Sequence, residues 1–219
     1  KVCSKYKIKK IIFISSAAIY SEKFKKNINE NKALRFKPHS SEFYYGISKR
    51  VMLYQLEALY KQSGINFCYI IMNNLYGEED NFNVKNGHVV PSLIHKFFLA
   101  KKNRTSIYLW GSPKTKRCLL YSKDAARMIV KIMKKNIKII NLSSRNEVTI
   151  GKLAKMISNK FNYDGQIYWE KKPFKGVNSR SLNLEILKKF NIKENYSLDE
   201  GLDETINWFK KNYNKKIRK

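Results

Sequence analysis

The sequence is short of acidic residues, cysteine and long apolar runs. Its 17 aspartates and glutamates stand against 45 lysines and arginines, which gives a formal net charge of +28 over 219 residues. Three cysteines, Cys3, Cys68 and Cys118, are too few and too scattered for a disulfide framework or a zinc site. No stretch approaches the roughly 18 apolar residues of a membrane span. We therefore expect no metal, no membrane partner and a reduced, cytoplasmic environment.

The excess of positive charge has two interpretations. Lysine and arginine can bind nucleic acid through its phosphates. Here, however, the lysines are dispersed over the whole chain, and only the last residues from Lys210 onwards form a dense cluster. Aromatic residues are not interleaved with them as stacking platforms. We expect no nucleic-acid partner, but a basic surface would help to attract a diphosphate ligand.

The sequence also contains no glycine-rich turn of the Gly-x-x-Gly-x-x-Gly type. Such a turn, placed between a strand and a helix, holds the pyrophosphate of a dinucleotide in a Rossmann domain. The chain starts at Lys1, without methionine and without the apolar segment of a signal peptide, and its first predicted strand soon follows. We expect it to begin in mid-sheet and to be part of a longer protein. The turn then either precedes Lys1 or is absent, in which case a dinucleotide is not bound in the usual way.

What is present is the pattern of an α/β protein. Apolar runs at 10–16, 66–72 and 137–142 predict strands, the first two of them buried. Residues 43–63 have a broad apolar side and predict a helix that Gly64 ends. The remaining predictions are a helix end over 1–9, an active-site loop over 21–42, a helix after His88, a strand, turn and return over 106–117, a helix entered at Tyr121, a helix capped by Thr149, a strand over 166–169, and helices over 183–190 and 198–214.

One stretch of this pattern carries recognisable chemistry. Tyr45 and Lys49 lie four residues apart on the predicted helix and so share one face. A lysine ammonium beside a phenol favours the phenolate, and such a tyrosine can exchange a proton in carbonyl and alcohol chemistry. The preceding strand ends in Ser15 and Ser16, at the edge where open α/β sheets bind ligands. Ser16 is therefore a candidate hydrogen-bond partner of a substrate oxygen.

A second stretch, from Asn73 to Pro91, has the sequence NNLYGEEDNFNVKNGHVVP. We expect Asn74 to end a strand at the ligand edge, and His88, which opens the next helix, to exchange protons near neutral pH. Together with the strand, the serine and the Tyr-x-x-x-Lys pair, this block resembles the extended short-chain dehydrogenase/reductase family. Within its nucleotide-sugar branch, the block is similar to the Asn-Leu-Tyr-Gly … Asp-Asn-Phe … His-Val-Ile-Pro block of the GDP-L-fucose synthases.

The resemblance implies a fold and an assembly. The fold is the C-terminal part of a Rossmann-like doubly wound parallel sheet, over 1–82 and 120–145, with a smaller α/β nucleotide-sugar-binding domain over 83–119 and 146–219. The family's usual homodimer, built through a helix bundle, would use a second apolar stripe of the helix at 43–63.

The resemblance also implies an activity. GDP-L-fucose synthases epimerise C3 and C5 of a GDP-4-keto-6-deoxy sugar and then reduce C4 with NADPH. In this scheme Tyr45 donates a proton to the C4 oxygen, Lys49 holds the cofactor ribose, and Ser16 hydrogen-bonds the same oxygen. His88 is one of the two epimerising groups. The cofactor-binding residues would be Ser15, Tyr45, Lys49, Asn74, Leu75 and His88, and the substrate-binding residues Asn74, Lys96, Trp110, Arg117 and Arg180.

The sequence departs from this family at one position of direct consequence. The family's second epimerising group is a cysteine two residues after the catalytic serine, and that position is Ala18 here. Alanine cannot move a proton, so we expect epimerisation to be reduced or absent while C4 reduction is untouched. A C4 reductase alone is an open alternative, and a non-catalytic nucleotide-sugar-binding protein is another. In the loop that begins at Lys172 and Pro173, Phe174 also differs from the family pattern.

Overall fold

A computed structural model describes residues 2–170 and 180–217, which form two compact units. In chain order the strands are β1 (Lys10–Ser16), β2 (Asn66–Met72), β3 (Asn74–Tyr76), β4 (Ile107–Trp110), β5 (Lys116–Tyr121), β6 (Ile139–Leu142), β7 (Glu147–Thr149) and β8 (Ile167–Glu170). The helices are α1 (Val2–Lys5), α2 (Phe43–Ser63), α3 (Val89–Asn103), α4 (Ser122–Met133), α5 (Ile150–Lys160), α6 (Glu185–Lys189) and α7 (Leu198–Asn212). None of these helices is both long and apolar enough to cross a membrane.

The first unit contains residues 2–73, 125–145 and 180–193 and is built on a parallel sheet. Its strand order is β1-β2-β6, with β2 in the centre. The register of β1 against β2 is one to one, from Lys10 opposite Asn66 to Ser16 opposite Met72. Parallel strands align their carboxyl ends, so the residues that follow β1 and β2 emerge at the same edge of the sheet.

Helix α2 covers one face of this sheet. Its residues Leu53 and Leu56 are buried. Gly64, whose backbone is left-handed (φ 68°), ends the helix and donates its N–H to the carbonyl of Tyr60. The helix supplies part of a continuous apolar core, which consists of Ala17, Ile19, Tyr20, Ile28, Ala33, Leu53, Leu56, Phe67, Tyr69, Ile71 and Leu182. The predicted limits of α2 and β2 are confirmed.

A buried polar network crosses the same unit. The side chain of Asn141 in β6 accepts a hydrogen bond from the Tyr20 hydroxyl (2.7 Å) and donates to the Ile28 carbonyl (2.8 Å). Its backbone N–H donates to the Glu30 carboxyl group (2.9 Å). Burial raises the pKa of Glu30 above its ordinary value. The loop after β1 is thereby attached to the sheet, even though its only helical pieces among the described residues are short 3-10 turns at Ala17–Ile19, Glu30–Lys32 and Ser40–Glu42.

The second unit contains residues 74–124, 146–170 and 194–217. In one sheet β5 pairs in parallel with β3 and antiparallel with β7, and β4 pairs in parallel with β8. Thr149 caps the start of α5 as predicted, because its hydroxyl oxygen accepts the Lys152 N–H. Asp124 is buried and accepts the N–H groups of Asn195 and Tyr196, so it anchors the segment before α7.

Three sequence-based expectations need correction. Within the described residues β1 pairs with β2 alone, and its residues are mostly partly exposed, not buried. Asn74 begins β3 and does not end β2, because the chain leaves the first sheet after Met72 and joins β5.

The third concerns chain topology. The strands over 106–117 do not return on each other, because β4 pairs with β8 and β5 with β3 and β7.

The chain passes between the two units more than once. It changes unit at Asn73 and at Asp124, and residues 180–193 return to the first unit, where α6 lies against β6. The predicted domains over 1–82 with 120–145 and over 83–119 with 146–219 stay a prediction.

Candidate active site

Ser16 lies at the carboxyl end of β1, where the chain turns. It is the last residue of the strand and the first residue before a 3-10 turn over Ala17–Ile19. Its hydroxyl oxygen accepts the N–H of Ala18 (3.2 Å), which fixes the side chain against its own turn. A hydroxyl that accepts in this way still has its proton to donate. Ser16 can therefore hydrogen-bond a ligand oxygen at this edge of the sheet.

Tyr45 and Lys49 lie on one face of α2, as their spacing predicts. The Lys49 ammonium is 5.5 Å from the centre of the Tyr45 ring and 5.1 Å from that of Phe13 in β1. It also donates to the Ile14 carbonyl (3.4 Å). The Tyr45 side chain is half exposed (51%), so a ligand can reach its hydroxyl. The positive charge therefore lies beside a reachable phenol, within cation–π distance of its ring.

A glycine brings this helix against the turn that carries Ser16. A Cβ placed on Gly46 would lie 2.6 Å from the Ala18 carbonyl oxygen and 2.8 Å from Pro38 Cβ. Only hydrogen fits there. Because Gly46 follows Tyr45 directly, the structure brings Ser16, Tyr45 and Lys49 together at one end of the first unit.

Arg50 completes this arrangement, and the sequence analysis missed it. The residue is buried, and its guanidinium donates to the carbonyls of Ile19 (2.9 and 2.5 Å), Phe36 (2.5 Å) and Arg35 (3.3 Å). These bonds attach the loop after β1 to α2. The available signal was a second basic residue directly after the Tyr-x-x-x-Lys pair, on the inner side of the predicted helix.

Arg180 was predicted to contact substrate, and its described contacts lie within the first unit. Its Nη1 donates to the carbonyl of Ala17 (2.7 Å) and to the Glu42 carboxylate (3.3 Å). Burial lowers the pKa of this guanidinium, and Nε and Nη2 have no hydrogen-bond partner among the described residues. Arg180 therefore supports the turn after Ser16. Its contact with substrate stays a prediction, and Lys172 and Pro173 lie outside the described residues.

The residues predicted from the Asn73–Pro91 block lie at the start of the second unit. Asn74 and Leu75 belong to β3. His88 precedes α3 as its capping residue, without a capping hydrogen bond from its side chain. That side chain is 79% exposed, and its Nδ1 lies 3.7 Å from the Asp80 carboxylate. His88 is thus accessible to a ligand and can exchange protons with one.

The remaining predicted residues line one pocket of the second unit. Lys96 comes from α3, Trp110 from β4 and Arg117 from β5. The lining also includes Lys85 and Trp169, which the sequence analysis did not select. Among the described lining residues, three carry a positive charge and none a negative one.

Burial takes part of the water away from a positive charge in this pocket. It lowers the pKa of the Lys96 ammonium, and the attraction of Glu170 does not offset the loss of water. A partly desolvated cation gains most from a bound anion, above all one with several oxygens. The Trp110 side chain is 60% exposed and presents a flat face for stacking. The pocket therefore suits a phosphate-bearing ligand with a ring.

The chain is similar to known proteins over nearly its whole length. Residues 1–143 match the NAD dependent epimerase/dehydratase family. The probable GDP-L-fucose synthase 1 of Oryza sativa subsp. japonica is 28% identical over 94% of this chain and 63% of its own length. The GDP-L-fucose synthase of Escherichia coli strain K12 is 26% identical over 94% and 68%. The chain thus spans about two thirds of the length of these relatives.

A solved structure agrees. A GDP-L-fucose synthetase from Naegleria fowleri bound to NADP is 31% identical and superposes with a TM-score of 0.88, over 97% of this chain and 70% of that one. The resemblance inferred from the sequence and the α/β fold class are confirmed.

Replacement of Arg50 tests whether the loop depends on it. We expect Arg50→Met to lower the free energy of unfolding by about 3 kcal/mol, because three carbonyls, among them the buried one of Ile19, lose their donor. Arg35→Met removes the same groups from an exposed side chain and is the matched control. Urea denaturation measures both, and limited proteolysis should cut the Arg50 variant first within 21–42. Equal stability of the two variants would contradict the assignment.

Proposed function

Because the chain belongs to the NAD dependent epimerase/dehydratase family, we propose that it reduces the C4 carbonyl of a GDP-4-keto-6-deoxy sugar with NADPH. One observation carries the proposal: the Lys49 ammonium lies over the Tyr45 ring at the end of the sheet that also presents Ser16. The similarity to GDP-L-fucose synthases and the NADP bound to the Naegleria protein support the substrate class and the cofactor.

The residues of the first unit suit the reacting end of NADP(H), which supplies the hydride when bound. Tyr45 is half exposed. The Lys49 ammonium donates a hydrogen bond to the Ile14 carbonyl and has further protons that it can donate to a ribose hydroxyl. Ser15 points elsewhere, because its hydroxyl is buried and donates to Tyr69. The 219 residues contain no glycine-rich turn for the pyrophosphate.

The chemistry assigned to the three residues is a proton transfer. The C4 carbon gains a hydride while its oxygen gains the Tyr45 proton, so the C=O double bond becomes an alcohol. Ser16 hydrogen-bonds the same oxygen as negative charge develops on it. Lys49 stabilises the phenolate that remains on Tyr45.

The pocket of the second unit fits the nucleotide part of such a substrate. We assign the diphosphate to Lys96 and Arg117, whose charges match it, and the base to the exposed ring of Trp110. The choice of guanine comes from the relatives and not from the pocket.

Epimerisation at C3 and C5, which would make GDP-L-fucose the product, is a second candidate function. Inversion beside a ketone needs one group to remove a proton and another to return it on the opposite side. His88 can serve as one. At the position of the other, Ala18 is buried (1% exposed) and has no proton to exchange. We therefore favour a reductase with little or no epimerase activity.

We also propose that two copies of the chain associate through α2. Tyr44, Ile47, Val51 and Tyr54 are exposed on it at helical spacing, and so form an apolar stripe away from the buried Leu53 and Leu56. An apolar stripe of this kind is typical of a helix-to-helix interface.

A binding experiment tests the nucleotide pocket independently of catalysis. We expect GDP to bind the protein and Lys96→Met to weaken binding about tenfold or more, because a charge-assisted contact is lost. Guanosine, which has no phosphate, should bind both forms equally. Lys102→Met removes the same charge from the exposed end of α3 and is the control. Equal weakening by both variants in calorimetry would assign binding to the general charge instead.

An assay in deuterated water separates reduction from epimerisation. With NADPH and a GDP-4-keto-6-deoxy sugar we expect NADPH oxidation and a C4 alcohol without deuterium at C3 or C5. Tyr45→Phe should slow the reaction about a hundredfold, since general acid catalysis is lost. Tyr44→Phe, on the exposed neighbour, should not. Absence of NADPH oxidation would overturn the reductase proposal, and deuterium at both carbons would establish epimerisation.

Sedimentation tests the proposed dimer. We expect the chain, of 25.9 kDa, to sediment as a dimer, and Val51→Asp to shift it to the monomer because a charge would be buried in the interface. Val130→Asp places the same charge on an exposed position of α4 and should leave the dimer intact. A monomeric unaltered chain at micromolar concentration would rule out the interface.

A further inference from the structure

Tyr69 lies in the middle of β2 beneath the site and is fully buried (0% exposed). Its ring stacks on Phe13 of β1, with the ring centres 5.5 Å apart and the planes at 15°. The sequence indicates only an apolar strand residue here. Its hydroxyl group, however, makes two hydrogen bonds, and both lead to residues of the site.

The direction of these bonds follows from the groups involved. The Tyr69 hydroxyl is 2.8 Å from the Lys49 carbonyl oxygen and 2.6 Å from the Ser15 hydroxyl. A carbonyl can only accept, so the single Tyr69 proton goes to Lys49. Ser15 must then donate to Tyr69. The result is a directed relay from Ser15 through Tyr69 to the backbone of Lys49.

The relay ends at Lys49, whose ammonium stabilises the phenolate of Tyr45 in the proposed reaction. The Lys49 carbonyl belongs to α2, so the bond from Tyr69 is made in addition to the helix's own. The ammonium of the same residue donates to the Ile14 carbonyl and lies over Phe13. Lys49 is therefore held at its backbone by β2 and at its side-chain end by β1.

We propose that Tyr69, with Ser15 as its donor, is a positioning residue that sets where the Lys49 ammonium lies relative to the Tyr45 hydroxyl. The assignment rests on the proposed function, because it gives Lys49 and Tyr45 their roles. It differs from a packing role, which the ring alone would fill. Phenylalanine at position 69 would keep the stack on Phe13 and lose only the relay, leaving the buried Ser15 hydroxyl without its acceptor.

The test measures the reactivity of Tyr45 without cofactor or substrate. A phenol-selective reagent modifies Tyr45 and the exposed Tyr108 of β4, and mass spectrometry gives the ratio of the two rates. We expect Tyr69→Phe to lower this ratio roughly threefold, the worth of one hydrogen bond. Ser15→Ala should lower it too, and the double variant should add little, because both break one relay.

Two comparisons keep the result interpretable. Tyr60→Phe, on the same helix with its ring against Phe67, should leave the ratio unchanged. In the reductase assay Tyr69→Phe should lower kcat while the KM for the GDP-sugar stays the same. A Tyr69→Phe protein that melts earlier but labels Tyr45 at the original ratio would overturn the proposal, and leave Tyr69 with packing alone. Since labelling needs no turnover, this outcome is independent of whether the protein is a reductase.

Discussion

The guanidinium of Arg50 joins the loop after β1 to the helix that carries Tyr45 and Lys49. Residues 21–42 contain only short 3-10 turns, so part of their backbone needs partners from outside the loop. Arg50 supplies donors to three carbonyls along the chain from Ile19 to Phe36. A lysine there has one nitrogen and could not span them. The position of the turn after Ser16 thus depends on a side chain that touches no ligand group itself.

The proposed nucleotide pocket depends on burial as well as on charge. The net charge of +28 is spread over the chain and attracts any anion weakly through water and salt. Lys96 differs because burial removes part of the water from its ammonium and lowers its pKa. In the proposed assignment this lysine binds a phosphate, while the lysines on the surface mainly raise the rate of encounter.

Much of the fold could be predicted from the sequence, because local signals agreed with the final packing. The limits of β1, α2 and β2 follow from apolar periodicity and from Gly64. The short strands β3 and β7 did not, since three residues carry no period and are defined by their partner β5. Pairing between distant segments decided the rest, including the return of residues 180–193 to the first unit.

The site divides in the same way. Ser16, Tyr45 and Lys49 could be predicted as candidates, because their pattern lies in the spacing along one strand and one helix. Arg50 and Tyr69 were not singled out, because what they do depends on backbone carbonyls far along the chain. The sequence shows a donor but not the acceptor that the fold brings to it. The sequence alone shows that alanine stands two residues after Ser16, at position 18, and the structure adds that this alanine is buried.

Because β1 and β2 pair one to one, the number of residues in β1 decides which hydroxyl lies at each position of the site. Successive strand residues point to opposite sides, and here Ser15 faces Tyr69 while Ser16 ends the strand and opens its turn. Deletion of one residue between Lys10 and Ile14 would put Ser16 in the place of Ser15 and Ala17 at the end of the strand. An insertion would put Ser15 at the end of the strand and Ile14 beside Tyr69, so either change leaves only one of the two hydroxyls in place. Substitutions between Lys10 and Ile14 should therefore be tolerated more readily than an insertion or a deletion there.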